Sequence, residues 1–335
     1  MPDHDHSHED STVWSKVRHF LAHDHDHEHS PSSDLGAEGI RATKISLLGL
    51  GATALLQAAL VVVTGSVALL SDTIHNFTDA LTAVPLWIAF SFGRRPRTRR
   101  FTYGYHRAED LAGVVIVIAI ALSAGGAAWE SLRRLSEPRD LELFGWVIVA
   151  GVIGAIGNEL VARYRRRVGL RINSAALVAD ADHARADALT SLAVVAAGVG
   201  AWLGWRWVDP VAGLVVASVI LRLLWRSARL MLDRLLDAVD PEIIDQIETT
   251  ALATEGVAGI SDIRARHHGH RLLIALSVAV DPDSTVASGH AVAHDVEHGL
   301  LHVFRADVEV VVHVNPHGVS GAHDSIAHHA TNPDG

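Results

Sequence analysis

Six long apolar segments occupy the middle of the chain, and short polar connections separate them. They cover approximately residues 45–63, 67–92, 111–129, 144–161, 175–202 and 210–225. Each segment is close to the ~20 residues that a helix needs to cross the hydrocarbon core of a bilayer. Trp202, Trp205 and Trp207 surround the turn between the last two segments, as expected where helices leave a bilayer. The pattern predicts a membrane bundle of six α-helices.

After Asp240 the pattern changes to that of a small water-soluble domain. Asp240 followed by Pro241 predicts the N-cap and the first residue of a helix over 241–253. Three strands with alternating apolar and polar residues are predicted at 259–266, 271–280 and 308–314. A second helix is predicted at 285–304, between the last two strands. This α-β-β-α-β order predicts a small open sheet with its helices on one face, a ferredoxin-like or metallochaperone-like α+β domain.

Both ends of the chain are polar and rich in histidine. Residues 1–39 alternate histidine with acidic residues and contain too few apolar residues to fold alone, which predicts a disordered metal-binding tail. An expression tag is the alternative, and the alternation with acids disfavours it. The predicted organisation is a disordered tail at residues 1–39, a transmembrane domain at 40–236, a cytoplasmic domain at 237–316 and a second disordered tail at 317–335.

Positive charge in the short connections predicts the orientation. Arginines concentrate in the connections at 94–107 and 163–171, whereas the first-to-second and fifth-to-sixth connections together hold only Arg206. The positive-inside rule then puts both termini in the cytoplasm.

Composition argues against several classes of function. The chain has no cysteine, which rules out disulfides and thiolate metal sites. The arginine clusters flank apolar segments and lack interleaved aromatic residues, so we expect no binding to nucleic acid. The string H-E-x-x-H does not occur, which argues against an intramembrane metalloprotease, and we expect no enzymatic activity.

Two apolar segments contain the same pair of polar residues. His75 and Asp79 lie in the second segment, and His183 and Asp187 repeat the pair in the fifth. Residues four apart share one face of a helix. Charged residues within a membrane helix are costly, and they commonly mark an ion pathway or an ion site.

A single pair of this kind is a structural contact between packed helices as often as it is a functional site. Two copies in apolar helices favour a functional site. Two imidazoles and two carboxylates make a four-coordinate site that suits zinc. A further acid lies seven residues before each aspartate, at Asp72 and Asp180. Either acid is expected to cap its helix or to line the entrance to the site.

These motifs resemble the cation diffusion facilitator family of divalent-metal transporters. The resemblance covers approximately residues 40–316 and depends on GSVALLSD at 65–72, YGYHRAE at 103–109 and HARAD at 183–187. It implies a homodimer in the lipid bilayer in which each protomer moves Zn²⁺, or Cd²⁺ or Co²⁺, out of the cytoplasm in exchange for protons. The implied transport site is His75, Asp79, His183 and Asp187.

Physical chemistry is consistent with proton exchange. An imidazole must be neutral to bind a metal, and its usual pKa of about 6.5 lets protons compete with the metal near neutral pH. A site near the middle of the membrane then alternates between the two faces. A membrane metal sensor or store without net transport is the alternative.

The resemblance also implies secondary positions. Arg107 and Asp237 match a pair that locks the membrane helices to the cytoplasmic domain, and His106 is expected to reach a metal at that junction or to have a structural role. His290 and His313 match two positions of a regulatory metal site in the cytoplasmic domain, with His317 as a further ligand.

The sequence departs from the family pattern at two further metal sites. Thr102 and Tyr105 occupy the expected histidine positions of a site in the second-to-third connection, so that site is expected to be absent. Ser261, Ser277 and Asn315 weaken the regulatory site in the same way. The turn histidines His267, His268 and His270 are expected to be exposed. As the alternative, they form a rearranged metal site together with His294 and His317.

Overall fold

The computed structural model describes residues 32–64, 73, 77, 83–136, 144–205, 207–304 and 308–318. Three of the predicted site residues lie outside the described residues: Asp72, His75 and Asp79. The histidine-rich segment before residue 32 and the segment after residue 318 also lie outside them.

Six described helices precede the α+β domain, which the orientation prediction places in the cytoplasm and which is called the cytoplasmic domain below. They are α1 (Ser32–Thr64), α2 (Ala83–Gly93), α3 (Arg107–Ser136), α4 (Phe144–Arg171), α5 (Ala175–Trp202) and α6 (Val208–Leu235). All except α2 are long and apolar enough to cross a membrane. The shorter α2 covers the described end of the second predicted segment.

Several helices extend beyond their apolar segments, and two of these extensions correct a prediction. The assignment of residues 32–39 to a disordered tail is wrong, because α1 begins at Ser32. Leu35 packs against the buried core of the bundle, and Glu38 pairs with Arg171 at 2.5 Å, which explains the extension. The arginine run that was expected in a connection is helical as well, because α4 continues to Arg171.

The fifth helix, α5, lies at the centre of the bundle and packs against α3, α4 and α6. Glycines on α4 allow its neighbours to approach closely. A Cβ atom at Gly157 would lie 2.3 Å from Oγ1 of Thr53 on α1, and one at Gly154 would lie 2.8 Å from Oγ of Ser191 on α5. Small residues are a common means of bringing membrane helices together.

The cytoplasmic domain consists of α7 (Pro241–Leu252), β1 (Gly259–His268), β2 (Arg271–Val280), α8 (Val286–Phe304) and β3 (Val308–Pro316). The central strand β2 is antiparallel to β1 and parallel to β3. The α-β-β-α-β prediction is therefore confirmed. The predicted N-cap is confirmed too, since the Asp240 side chain accepts a hydrogen bond from the backbone N–H of Glu242 at 3.1 Å.

One face of the sheet carries the core of this domain. Alternate residues of β2 are buried against the two helices, as a half-buried strand requires. The cluster contains Leu272, Ile274, Leu276 and Val278 of β2 with Ile247 of α7 and Val296 and Leu300 of α8.

Candidate metal centre

The described half of the predicted transport site lies on α5. Ser174 caps this helix, because its hydroxyl accepts a hydrogen bond from the backbone N–H of Leu177 at 3.1 Å. His183 and Asp187 are 1% and 5% exposed, and Nε2 of His183 lies 3.9 Å from Oδ2 of Asp187. The imidazole and the carboxylate therefore face each other inside the bundle, one helical turn apart.

Buried polar residues continue along α5 on both sides of this pair. Asp180 lies one turn before His183, and Ser191 lies one turn after Asp187. Ser191 is a buried polar residue of the same helix that was not among the predicted site residues. Its spacing of four residues from Asp187 is the signal that would have indicated it.

Asp180 is neutralised by a buried arginine. Nη1 of Arg165 on α4 lies 3.1 Å from Oδ1 of Asp180, and neither side chain has appreciable access to solvent. The capping role considered for Asp180 is wrong, because Ser174 is the N-cap. This pair could not be predicted from the sequence, because Arg165 belongs to a run of arginines that is typical of a connection.

A second acid on α5 is also held by basic residues. Oδ2 of Asp182 lies 2.8 Å from Nη2 of Arg226 and accepts a hydrogen bond from the hydroxyl of Ser227 at 3.2 Å. Arg166 of α4 approaches Oδ1 of the same carboxylate at 3.6 Å. These contacts tie α5 to α4 and α6.

The turn between β1 and β2 inserts into the end of the membrane bundle. Glu109 on α3 accepts a hydrogen bond from the backbone N–H of His270 at 3.2 Å and contacts Nδ1 of the same residue at 2.8 Å. Asp110 accepts one from the backbone N–H of Gly269 at 3.2 Å. A Cβ atom at Gly269, where φ is +63°, would lie 2.6 Å from the carbonyl oxygen of His106, so only glycine fits here.

Arg234 on α6 holds the other side of this turn. It donates hydrogen bonds to the carbonyl of Gly269 at 3.3 Å and to Oδ1 of Asn173 at 2.9 Å. Burial, and to a smaller extent Arg234, lowers the pKa of His267 to about 4. Burial and nearby cationic groups, led by His106, lower the pKa of His268 to about 4 as well. The expectation that the turn histidines are exposed is therefore wrong, because His267, His268 and His270 are buried.

His106 lies beside two of these buried histidines. Its ring centroid is 5.6 Å from that of His268 and 5.6 Å from that of His270. Within the described residues, however, no group of three or more histidine or acidic side chains is arranged to hold a metal ion. A metal at this junction therefore stays a prediction.

The histidines predicted for a regulatory site are exposed. His290 lies on α8, His313 lies on β3 opposite Ser277 of β2, and His317 follows β3. The part of the chain that the structure describes contains no metal-holding group around these residues either. Their role as ligands stays a prediction.

The predicted locking residues lie together at the junction. Nη2 of Arg107, at the start of α3, is 2.5 Å from Oδ1 of Asp237, just beyond α6. Arg266 on β1 approaches the other oxygen of Asp237 at 3.6 Å. The carboxylate therefore contacts both the membrane bundle and the cytoplasmic sheet.

Comparison with known families agrees with this architecture. The model described as the cation efflux transmembrane domain matches residues 43–236, and the model described as the cytoplasmic domain of cation efflux proteins matches residues 239–317. The chain belongs to the cation efflux family. The resemblance to the cation diffusion facilitators is thereby confirmed, and so is the combination of apolar membrane helices with a small α+β domain.

This chain is also similar to named efflux proteins of Mycobacterium tuberculosis and Bacillus subtilis, and to a solved domain. A probable cation efflux system protein of Mycobacterium tuberculosis is 48% identical over 95% of this chain and 97% of its own length. The manganese efflux system protein MneP of Bacillus subtilis is 28% identical over 82% of this chain and 96% of its own length. A solved structure of a MamM C-terminal domain is 25% identical over 23% of this chain and 96% of that chain, with a TM-score of 0.22.

Membership in the cation efflux family fixes the broad class of this protein. It is an integral, multi-pass membrane protein of a family of transporters that export divalent metal cations, and that family is not one of enzymes.

Proposed function

We propose that this cation efflux protein exports Zn²⁺, or Cd²⁺ or Co²⁺, from the cytoplasm in exchange for protons. The observation that carries the proposal is the buried contact between His183 and Asp187 on the central helix. The sequence repeats this pair as His75 and Asp79 in the second apolar segment. Two imidazole nitrogens and two carboxylate oxygens suit Zn²⁺ in a tetrahedral site.

Burial explains why such a site exchanges metal for protons. A bare carboxylate is costly in a medium of low dielectric constant, so Asp187 needs a cationic partner in every state of the cycle. Bound Zn²⁺ supplies that charge and requires a neutral His183. After the metal leaves, a proton on the pair restores the balance of charge. The protonated site then returns to the cytoplasmic face, which gives antiport by alternating access.

The assembly and orientation are part of the same proposal. We place both termini in the cytoplasm, because the positive-inside rule assigns the arginine-rich stretches at 94–107 and 163–171 to that side. We divide the chain into a transmembrane domain that begins with α1 and ends at residue 236, and a cytoplasmic domain at 237–316 that joins two protomers into a homodimer. The contact between Arg107 and Asp237 would keep the two domains in a fixed relation within each protomer.

Transport in sealed proteoliposomes tests this function. Wild-type protein should take up Zn²⁺ when a proton gradient is imposed, and Asp79→Ala and Asp187→Ala should reduce uptake to the level of empty liposomes. Asp245→Ala is the matched control, because Asp245 is an exposed acid on α7 and its loss should leave uptake unchanged. Collapse of the gradient with a protonophore should abolish uptake by the wild type.

Three other outcomes would contradict the proposed function. Zinc uptake that survives both Asp79→Ala and Asp187→Ala would show that these pairs are structural. Uptake that is indifferent to the proton gradient would reject antiport. Zinc binding without any uptake by the wild type would favour a membrane metal sensor or store.

A further inference from the structure

Helix α8 of the cytoplasmic domain carries a histidine at every fourth position. These residues are His290, His294, His298 and His302. Four residues advance a helix by slightly more than one turn, so the side chains form a single stripe along its surface. All four are exposed, because α8 buries the opposite face through Gly289, Val296 and Leu300. Packing of the domain therefore does not account for them.

The last two histidines of the stripe, His298 and His302, approach each other through their Nε2 atoms. Nε2 of His298 lies 3.1 Å from Nε2 of His302, and the ring centroids are 4.4 Å apart at an interplanar angle of 80°. Two nitrogens bound to one Zn²⁺ at tetrahedral geometry are separated by about 3.4 Å. The two Nε2 atoms are thus within a few tenths of an ångström of the spacing that one ion requires.

The rest of the stripe is arranged differently. His294 stacks parallel to His298 at 6.5 Å between centroids, a geometry that does not direct both rings at one point. Its Nδ1 lies 4.0 Å from a carboxylate oxygen of Asp295, and both of these side chains are largely exposed. Asp295 adds negative charge one turn before His298, which favours a cation at this end of α8.

We propose that His298 and His302 form a two-histidine clamp that binds one divalent cation of the imidazole-preferring class, such as Zn²⁺, Co²⁺, Ni²⁺ or Cu²⁺, with water completing its coordination. Ions that prefer oxygen ligands, such as Mg²⁺ and Ca²⁺, should not bind. The clamp is separate from the pair on α5 and does not depend on the transport proposal. A cation bound there would bridge adjacent turns of α8 and stabilise the folded domain.

A direct hydrogen bond between two neutral imidazoles would give the same contact without a metal. Residue-resolved chemical modification separates these explanations. The full-length protein in detergent micelles is treated with diethyl pyrocarbonate, which modifies accessible neutral imidazoles, and each histidine is quantified by peptide mass spectrometry. We expect Zn²⁺ to slow the modification of His298 and His302 by about tenfold, because the metal occupies the reacting nitrogens. Mg²⁺ at the same concentration should have no effect.

A register variant provides the matched control. His302→Ala combined with Val303→His keeps the number of histidines but moves the second imidazole about 100° around the helix. Val303 is exposed, so the change should not disturb the fold, and circular dichroism verifies this. In the variant, modification of His298 should proceed at the same rate with and without Zn²⁺.

Two results would overturn the clamp. One is equal modification of wild-type His298 with and without Zn²⁺. The other is full protection of His298 by Zn²⁺ in the register variant, because the ion would then be held by other ligands. Protection that persists in Asp187→Ala would show that the clamp and the transport pair are independent.

Discussion

Two arginine–aspartate pairs in this protein have the same chemistry and different surroundings. Arg165 and Asp180 meet inside the membrane bundle at 3.1 Å, with side chains 1% and 0% exposed. Arg107 and Asp237 meet at the junction with the cytoplasmic domain at 2.5 Å, with side chains 37% and 40% exposed. The shorter contact is therefore the one that water can screen. Burial, and not distance, should decide how much each pair matters.

The physical reason is the cost of removing charge from water. A buried charge without its partner is strongly unfavourable, whereas an exposed one is solvated and loses little. The bundle follows this rule at Asp182 as well, where Arg226, Ser227 and Arg166 surround the carboxylate. Asp180 and Asp182, which both precede His183 on α5, are thus held by arginines from neighbouring helices.

The largest effect should come from breaking the buried pair. Arg165→Met leaves Asp180 charged and without its arginine in the bundle, which should lower the free energy of unfolding by about 3–5 kcal/mol. Denaturant unfolding of the full-length protein in detergent micelles measures this. Arg163→Met is the matched control, because Arg163 lies on the same helix, is mostly exposed and pairs with Glu159. We expect that change to cost less than about 1 kcal/mol.

A double variant sharpens the interpretation. Arg165→Met with Asp180→Leu removes both charges and should recover most of the lost stability, since apolar replacements of a buried pair are often neutral. Equal losses in the double and single variants would mean that packing, and not charge, explains the effect. Uptake measured on the stable double variant then shows whether Asp180 also serves the entrance to the transport site.

Much of the fold could be predicted because local patterns determine it. The bounds of α5 and β2 agree with the apolar segment at 175–202 and the alternating segment at 271–280. Hydrophobic periodicity is the strongest signal in a single sequence. The extension of α4 to Arg171 could not be predicted, because a run of arginines is typical of a connection.

The buried turn histidines show why part of the site escapes a sequence pattern. His270 is held by Glu109 from α3, and His267 lies beside Asn173 and Arg234 from other parts of the bundle. These partners are far apart along the chain. A turn of histidine and glycine is ordinarily exposed, and only the docking of the two domains buries this one.

Lowering the pH tests whether burial also determines how much the junction between the two domains contributes to stability. The pKa of His267 is about 4 in the folded protein, below its usual 6.5, because of burial and Arg234. The unfolded chain then binds a proton that the folded chain does not, so stability is complete above pH 6.5 and falls as the pH drops towards 4. The expected loss attributable to His267 is about 1–3 kcal/mol.

Unfolding measured between pH ~7 and ~5 checks this expectation. His267→Asn should flatten part of the pH dependence, because the variant has no proton to gain at that position. His290→Asn is the control, since His290 is exposed on α8 and its loss should leave the curve unchanged. A pH dependence that is identical in wild type and His267→Asn would show that this imidazole is already solvated.

The smallest effect should come from the junction pair. Arg107→Ala removes a partner that solvent screens, and Arg266 remains near Asp237, so the free energy of unfolding should change by less than about 1 kcal/mol. Salt should shrink this difference further, because ions screen exposed charges, whereas the loss in Arg165→Met should persist in salt. Asp237→Asn, alone and combined with Arg107→Ala, completes a double-mutant cycle for this pair. Asparagine suits the positive φ of 59° at this position. A loss in Arg107→Ala as large and as salt-resistant as that in Arg165→Met would contradict the comparison, because the two pairs would then be energetically equivalent despite their different exposure.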